Sequence, residues 1–228
     1  ERVVRASGDG DRARRARALW HSARALGDLS RAELVLASAE VQTAKREDPD
    51  EPHVGFVEAV VLQRRGERRR AAQVLDGLAR STTLSEPLRL RVGLHRLDLL
   101  LDEGDGHGAL MWAEARARGT HVHAALGNRL GLARSAVGDN DGARAAFEAA
   151  HQGDPRDPSP LINLARLARQ TGDREGARRL LQQALALDET NGEAWLAYGV
   201  VLADLGALVE ARRAVLEAGR RTPDQAGP

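Results

Sequence analysis

The stretch Thr171–Leu181 reads "TGDREGARRLL": a helix end, a tight turn and a second helix start. Thirty-four residues earlier stands "VGDNDGARAAF" (Val137–Phe147), and thirty-four later "LGALVEARRAV" (Leu205–Val215). A period of this length marks stacked supersecondary units and takes precedence over any residue-level reading. The turn glycines Gly138, Gly172 and Gly206 keep the spacing, as do Ala143, Ala177 and Ala211, and then Ala150, Ala184 and Ala218. Bulky apolar residues Phe147, Leu181 and Val215 lie between the alanines, and Pro155 and Pro223 close two of the units, with Glu189 in that place of the other.

Each recurring residue has a physical task. A glycine ends a helix in the left-handed conformation without a Cβ penalty. Aspartates after it (Asp28, Asp105, Asp139, Asp173) suit the turn and can accept from free helix-start amides. In "SRAE", Ser30 and Glu33 have capping-box spacing. Alanines at helix crossings let two backbones approach closely. One helix pair cannot bury its apolar face alone, so neighbours must stack to make a core.

Followed backwards, the register continues through Gly104 with Ala109, Gly66 with Ala71, and Gly27 with Ala32. The last two steps are longer by 4 and 5 residues, which fall in the loops "STTLSEP" and "KREDPDEP", where extra length costs little. Six units follow, at 13–50, 51–89, 90–123, 124–157, 158–191 and 192–225, after an N-terminal extension 1–12 and before a tail 226–228. The third departs most: Arg116 stands where alanine is expected, and His121 where proline is.

Composition supports an all-helical reading. Of 228 residues 42% are hydrophobic but only 3% aromatic, and alanine and leucine dominate the apolar share. A net charge of +1 with 29% charged residues means interleaved acids and bases, without the basic excess expected of a nucleic-acid binder. Lys45 is the only lysine among many arginines. With no cysteine, disulfides and thiolate metal sites are excluded, and the compartment stays open. No apolar run reaches the roughly 20 residues of a membrane span. The chain begins at Glu1 rather than methionine, as an excised domain or processed product would.

The pattern resembles the tetratricopeptide repeat, most closely in the last unit: Trp195, Tyr198, Gly199, Leu202, Ala211, Val215, Ala218 and Pro223. The resemblance covers nearly the whole chain. It implies an all-α fold, a right-handed α-solenoid of about six helix-turn-helix repeats with a concave face lined by the first helices. It also implies a non-enzymatic scaffold or adaptor that binds a peptide or protein segment in that groove. The alternative is a regulatory or targeting arm of a larger enzyme, or of a bacterial envelope or secretion assembly machine.

Motifs for other chemistry are incomplete. "EGDGHGAL" lacks the Gly-Lys-Ser/Thr ending of a phosphate loop, and "VGDNDGARAAFE" offers Val137 where a calcium loop needs an oxygen. The histidines show no metal-ligand spacing, His121 and His123 being two apart at a repeat boundary. No nucleophile elbow occurs, so no catalytic residue, metal or cofactor is expected. Trp20, Trp112, Trp195 and Tyr198 are expected in the core.

Transferring the family's inner-helix positions gives groove candidates: Arg14, Arg17, His21 and Arg24; Phe56, Val60, Gln63 and Arg64; Arg91, His95, Asp98 and Asp102. Later units add Asn128 and Arg129, then Asn163, Arg166, Arg169 and Gln170, then Glu193 and Asp204. The resemblance implies that arginine forks grip carboxylates and amides hold a peptide backbone, so the expected partner is an extended protein segment with acidic groups. The other reading of these arginines is as ordinary solvated groups. Asn128, Asn163 and Arg166 offer chemistry similar to the family's clamp for acidic chaperone tails, but its lysine positions are not reproduced. Finally, "TPDQAGP" (Thr222–Pro228) leaves no room for the extra helix that usually covers the last repeat, while Leu196, Val200, Val201, Leu208, Val215 and Leu216 make that unit apolar. A partner, a second copy or further sequence is expected to cover it.

Overall fold

A computed structural model describes residues 2–30, 33–82, 84–117 and 123–221, with side chains 2–9 and 30 left aside. Ala32, His121, Pro223 and the stretch 222–228 lie outside the described residues. Among the described residues there are twelve helices and no strand. They are α1 (Arg2–Ser30), α2 (Leu34–Glu47), α3 (Pro52–Arg64), α4 (Arg68–Ala79), α5 (Glu86–Asp102) and α6 (Gly106–Arg116). The remainder are α7 (Ala124–Ala136), α8 (Asn140–Gly153), α9 (Ser159–Gln170), α10 (Arg174–Leu187), α11 (Gly192–Asp204) and α12 (Leu208–Arg221).

Five turns share one construction. Gly66, Gly104, Gly138, Gly172 and Gly206 have φ between 76° and 90°, the left-handed cap that excludes most side chains. The amide one residue on donates back to the last turn of the preceding helix, as Asp173 N does to the Ala168 carbonyl at 2.9 Å. Asp105, Asp139 and Asp173 then cap the next helix, accepting from the amides of Gly108, Gly142 and Gly176 at 2.8–2.9 Å. A Cβ on any of those three glycines would collide with the capping carboxylate. Asn191 caps α11 in the same way, from Ala194 N at 2.9 Å.

The first turn is built differently. Gly27 does not terminate a helix: α1 runs on to Ser30, and Gly27 is not among the left-handed glycines. The N-cap of α2 is Glu33, where the expected capping box has Ser30, and the Glu33 side chain makes no cap bond. Leu29, in the extra turn, packs against the core, as does Leu26 before it. Glu33 N then donates to the Asp28 carbonyl at 2.8 Å to reverse the chain. Residues 2–12 are the opening turns of α1.

The chain divides into two compact units, Glu1–Leu99 and Leu100–Pro228. In the first, α1 packs on α2 and α3, and α3 on α4, around Phe56, Leu75, Val92 and Leu99. In the second, α7, α9 and α11 contact one another in succession and each packs on its own following helix. The core there is Phe147, Ile162, Leu167, Leu181 and the crossing alanines Ala143, Ala177 and Ala184. Small residues stand where inner helices cross the bulky residue of the next helix: Gly131 against Phe147, and Gly199 against Val215. α6 is three residues shorter than α8, and ends at Arg116, where those helices carry an alanine for the crossing.

Candidate functional site

α9 carries Asn163, Arg166 and Arg169 at three-residue steps, which places them along one face of the helix. The structure joins most of them to each other. Asn163 Nδ2 donates to Asn128 Oδ1 of α7 at 3.0 Å, and both side chains are buried. A buried amide is costly unless paired, so this bond ties α7 to α9 and does not present amides to solvent. Arg166 Nη1 donates to Asn163 Oδ1 at 3.1 Å, while its Nη2 pairs with Glu193 at the start of α11. Arg169 Nε lies 3.2 Å from Asp204 Oδ2 at the end of α11. The two arginines of α9 are thus neutralised by the two carboxylates of the neighbouring helix.

Between these ion pairs lies an open groove of about 300 Å³, lined by Ala165, Arg166 and Arg169 on α9 and by Leu196, Ala197 and Val200 on α11. Leu196 and Val200 are exposed and four residues apart, so they form an apolar strip along α11. The groove is therefore apolar along its length and charge-paired at its rim. Leu196 and Val200 are two of the apolar residues of the last unit that the sequence marks as in need of a cover, and the structure places them in the groove beside the arginines of α9.

In the first unit the expected groove residues are again engaged. Arg17 Nε donates to Glu47 Oε2 at 2.8 Å, His21 Nδ1 lies 2.6 Å from Glu40 Oε2, and Arg24 Nη2 lies 3.0 Å from Glu40 Oε1. Arg14 pairs with Asp11. Arg24 also stands 4.9 Å from the ring centre of Trp20, which is exposed instead of buried in the core as expected. Phe56, placed by register in the groove, is a core residue, and Arg91 covers its ring at 4.4 Å. Gln63 reaches His95 at 3.5 Å. Arg64 is exposed at the end of α3, and Arg129 is half-buried on α7 and engaged within the fold. Trp112, Trp195 and Tyr198 are half-buried.

Among the described residues no group of three or more histidines, aspartates or glutamates could hold a metal ion, and no helix is long and apolar enough to cross a membrane. Residues 162–226 match a tetratricopeptide repeat profile, and residues 135–183 match a second profile of the same description. Residues 135–226 carry tetratricopeptide repeats. Solved structures of similar fold include the PilF protein of Pseudomonas aeruginosa, at 18% identity and TM-score 0.70, covering 92% of this chain and 94% of that one. PilW, a type IV pilus biogenesis factor, matches at 16% identity and TM-score 0.68 over 91% and 93% of the two chains. The Cut9–Hcn1 assembly of the APC/C gives 16% identity and TM-score 0.71, over 92% of this chain and 41% of that one. No curated protein matches the sequence. Tetratricopeptide repeats generally act as non-enzymatic protein–protein interaction scaffolds.

Proposed function

We propose that this protein holds a segment of a partner protein in the groove between α9 and α11, gripping it by the Leu196–Val200 strip. The observation that carries this reading is the coincidence of an exposed apolar strip with a rim of already paired charges. Arg166 and Arg169 have carboxylate partners, so an acidic segment would first have to displace Glu193 and Asp204. An apolar anchor displaces only water, and exposed apolar side chains in a concavity are the usual centre of an interaction site. The partner side chains that reach the rim then meet fixed hydrogen-bonding groups, Gln170 among them, which set register more than affinity.

The test is affinity capture from the source organism with three forms of the protein, identifying what each retains. Val200→Asp should lose partners that the wild type and Arg166→Ala retain. Equal retention by Val200→Asp, with its helical content intact, would overturn the groove. Charge reversal at Arg166 is a poor variant, because the new carboxylate would face Glu193.

The second reading places the protein in an envelope assembly machine. The likeness in fold to PilF and PilW, over nearly the full length of each, supports it. Enrichment of pilus or secretion components in the wild-type capture is its expected outcome.

A further inference from the structure

The two ion pairs that close the ends of the α9–α11 groove are unequal, and the inequality decides which arginine is open to a ligand. Arg166 makes two hydrogen bonds, to Asn163 Oδ1 at 3.1 Å and to Glu193. Asn163 is itself buried and donates to Asn128 at 3.0 Å, so the guanidinium rests on a fixed support. Arg169 has no such backing. Its Nε lies 3.2 Å from Asp204 Oδ2 in an ion pair without a hydrogen bond, and among the described residues its side chain has no second polar partner.

The partner carboxylates differ in the same sense. Glu193 lies in the first turn of α11, where the positive end of the helix favours an anion. Asp204 is the last residue of α11, where the negative end disfavours one. Each effect is worth about two- to fivefold in an equilibrium. Asp204 is the less exposed carboxylate, at 37% against 61% for Glu193, and weaker screening favours its pair to that extent. A charged hydrogen bond outweighs that advantage at sites this open, so the Glu193 end is locked and the Asp204 end exchangeable.

We propose, resting on the groove reading above, that Arg169 is the residue through which the groove takes a side-chain carboxylate of its partner. The incoming carboxylate replaces Asp204 on the guanidinium fork, while Arg166 stays with Glu193. Val200 and Asp204 are four residues apart, about 6 Å along the helix, which two residues of extended chain can span. The segment that fits is therefore an apolar residue, then any residue, then a glutamate or aspartate. Gln170, in the lining beside Arg169, offers a neutral amide to the same segment. Asn128 and Asn163 take no part, because their amides are spent inside the stack.

The experiment is NMR titration of the full 228-residue chain with acetyl-leucyl-alanyl-glutamate amide, the glutaminyl peptide serving as control. Arg166→Lys and Arg169→Lys assign the two arginine Nε–H signals. The glutamate peptide should shift the Arg169 signal together with the backbone amides of Leu196 and Val200, and leave Arg166 in place. The glutamine peptide should shift those amides alone. Asp204→Asn, which removes the competing carboxylate, should tighten the glutamate peptide by about threefold or more, and Glu193→Gln should change it by less than about twofold. A shift at Arg166, no shift at Arg169, or an equal gain from Glu193→Gln would overturn the assignment. Movement of Arg169 without the Leu196 and Val200 amides would keep the assignment and remove the groove reading. Movement of those amides with both peptides, and of Arg169 with neither, would do the reverse.

Discussion

The helix pairs α9–α10 and α11–α12 are written in the same register 34 residues apart, yet they bury different parts of themselves. Ile162 is 2% exposed and its counterpart Leu196 51%; Leu181 is 0% exposed and Val215 46%. The repeat pattern fixes which residues face along the stack. Whether they are buried depends on what lies next to them. α10 has α11 against it, whereas among the described residues only α11 packs on α12. A consensus residue in the last unit is thus evidence for a contact surface and not by itself for a core.

The largest difference is expected on truncating the bulky consensus residue. Leu181→Ala should cost about 2–5 kcal/mol in urea-induced unfolding, because it leaves a cavity among Ala177, Ala184 and Phe147. Val215→Ala should cost less than about 1 kcal/mol, as surface truncations do. Equal costs would mean that α12 is covered in the isolated chain.

The paired glycines give the next contrast. A Cβ at Gly131 would enter the ring of Phe147, which is buried and cannot swing away, so Gly131→Ala should destabilise by about 1–3 kcal/mol. At Gly199 the Cβ would meet Val215 Cγ2 at 2.8 Å and the Ala211 carbonyl oxygen at 3.2 Å; the first contact is relieved by a rotamer change of the half-exposed Val215, and the second needs a shift of a few tenths of an ångström. Gly199→Ala should therefore cost the lesser amount when both variants are compared by urea-induced unfolding.

A change of sign is expected between the turns. Gly172 sits at φ 90°, where alanine is disfavoured by about 1–2 kcal/mol. Gly27 lies within α1 with nothing inside 4 Å of a built Cβ, so Gly27→Ala should stabilise by up to about 1 kcal/mol. Destabilisation at Gly27 would restore the turn that the repeat register assigns to it.

The smallest effect concerns Glu217 on α12. Hydrogen bonding from Arg221, aided by the charges of Arg220 and Arg221, holds its carboxyl below the ordinary glutamate range. A carboxyl lowered on folding contributes stability above its unfolded value and loses it as pH falls through the folded one. The side chain is partly solvent-exposed, so the effect is slight and is best read by NMR titration. Arg221→Gln should move the Glu217 midpoint upward, towards that of a free glutamate.

Most of the fold is legible in the sequence because its determinants are local. Gly172 and Asp173 with Gly176 specify a helix stop and a cap within five residues, and the pattern recurs at Gly138 and Gly104. The exception is instructive. "LGDLSRAE" has the same local signals, but α1 continues through Gly27 and Leu29 beyond it packs against the core.

The site was less legible because its determinants are pairs distant in sequence. Asn128 and Asn163 stand 35 residues apart and saturate each other, and Arg166 finds Glu193 on the next unit's helix. In one dimension these look like free polar groups on a groove. In the folded chain they have partners within the stack, and the apolar Leu196 and Val200 lie exposed between the ion pairs. Trp20 moved the other way, from expected core to a surface ring covered by Arg24.

The most direct test places a photo-crosslinking residue at position 200, on the apolar strip, and at position 64, an exposed site on α3. Irradiation in an extract of the source organism should join position 200 to another protein chain and leave position 64 without a product. Absence of any crosslink from position 200, or products from position 64 alone, would contradict the account.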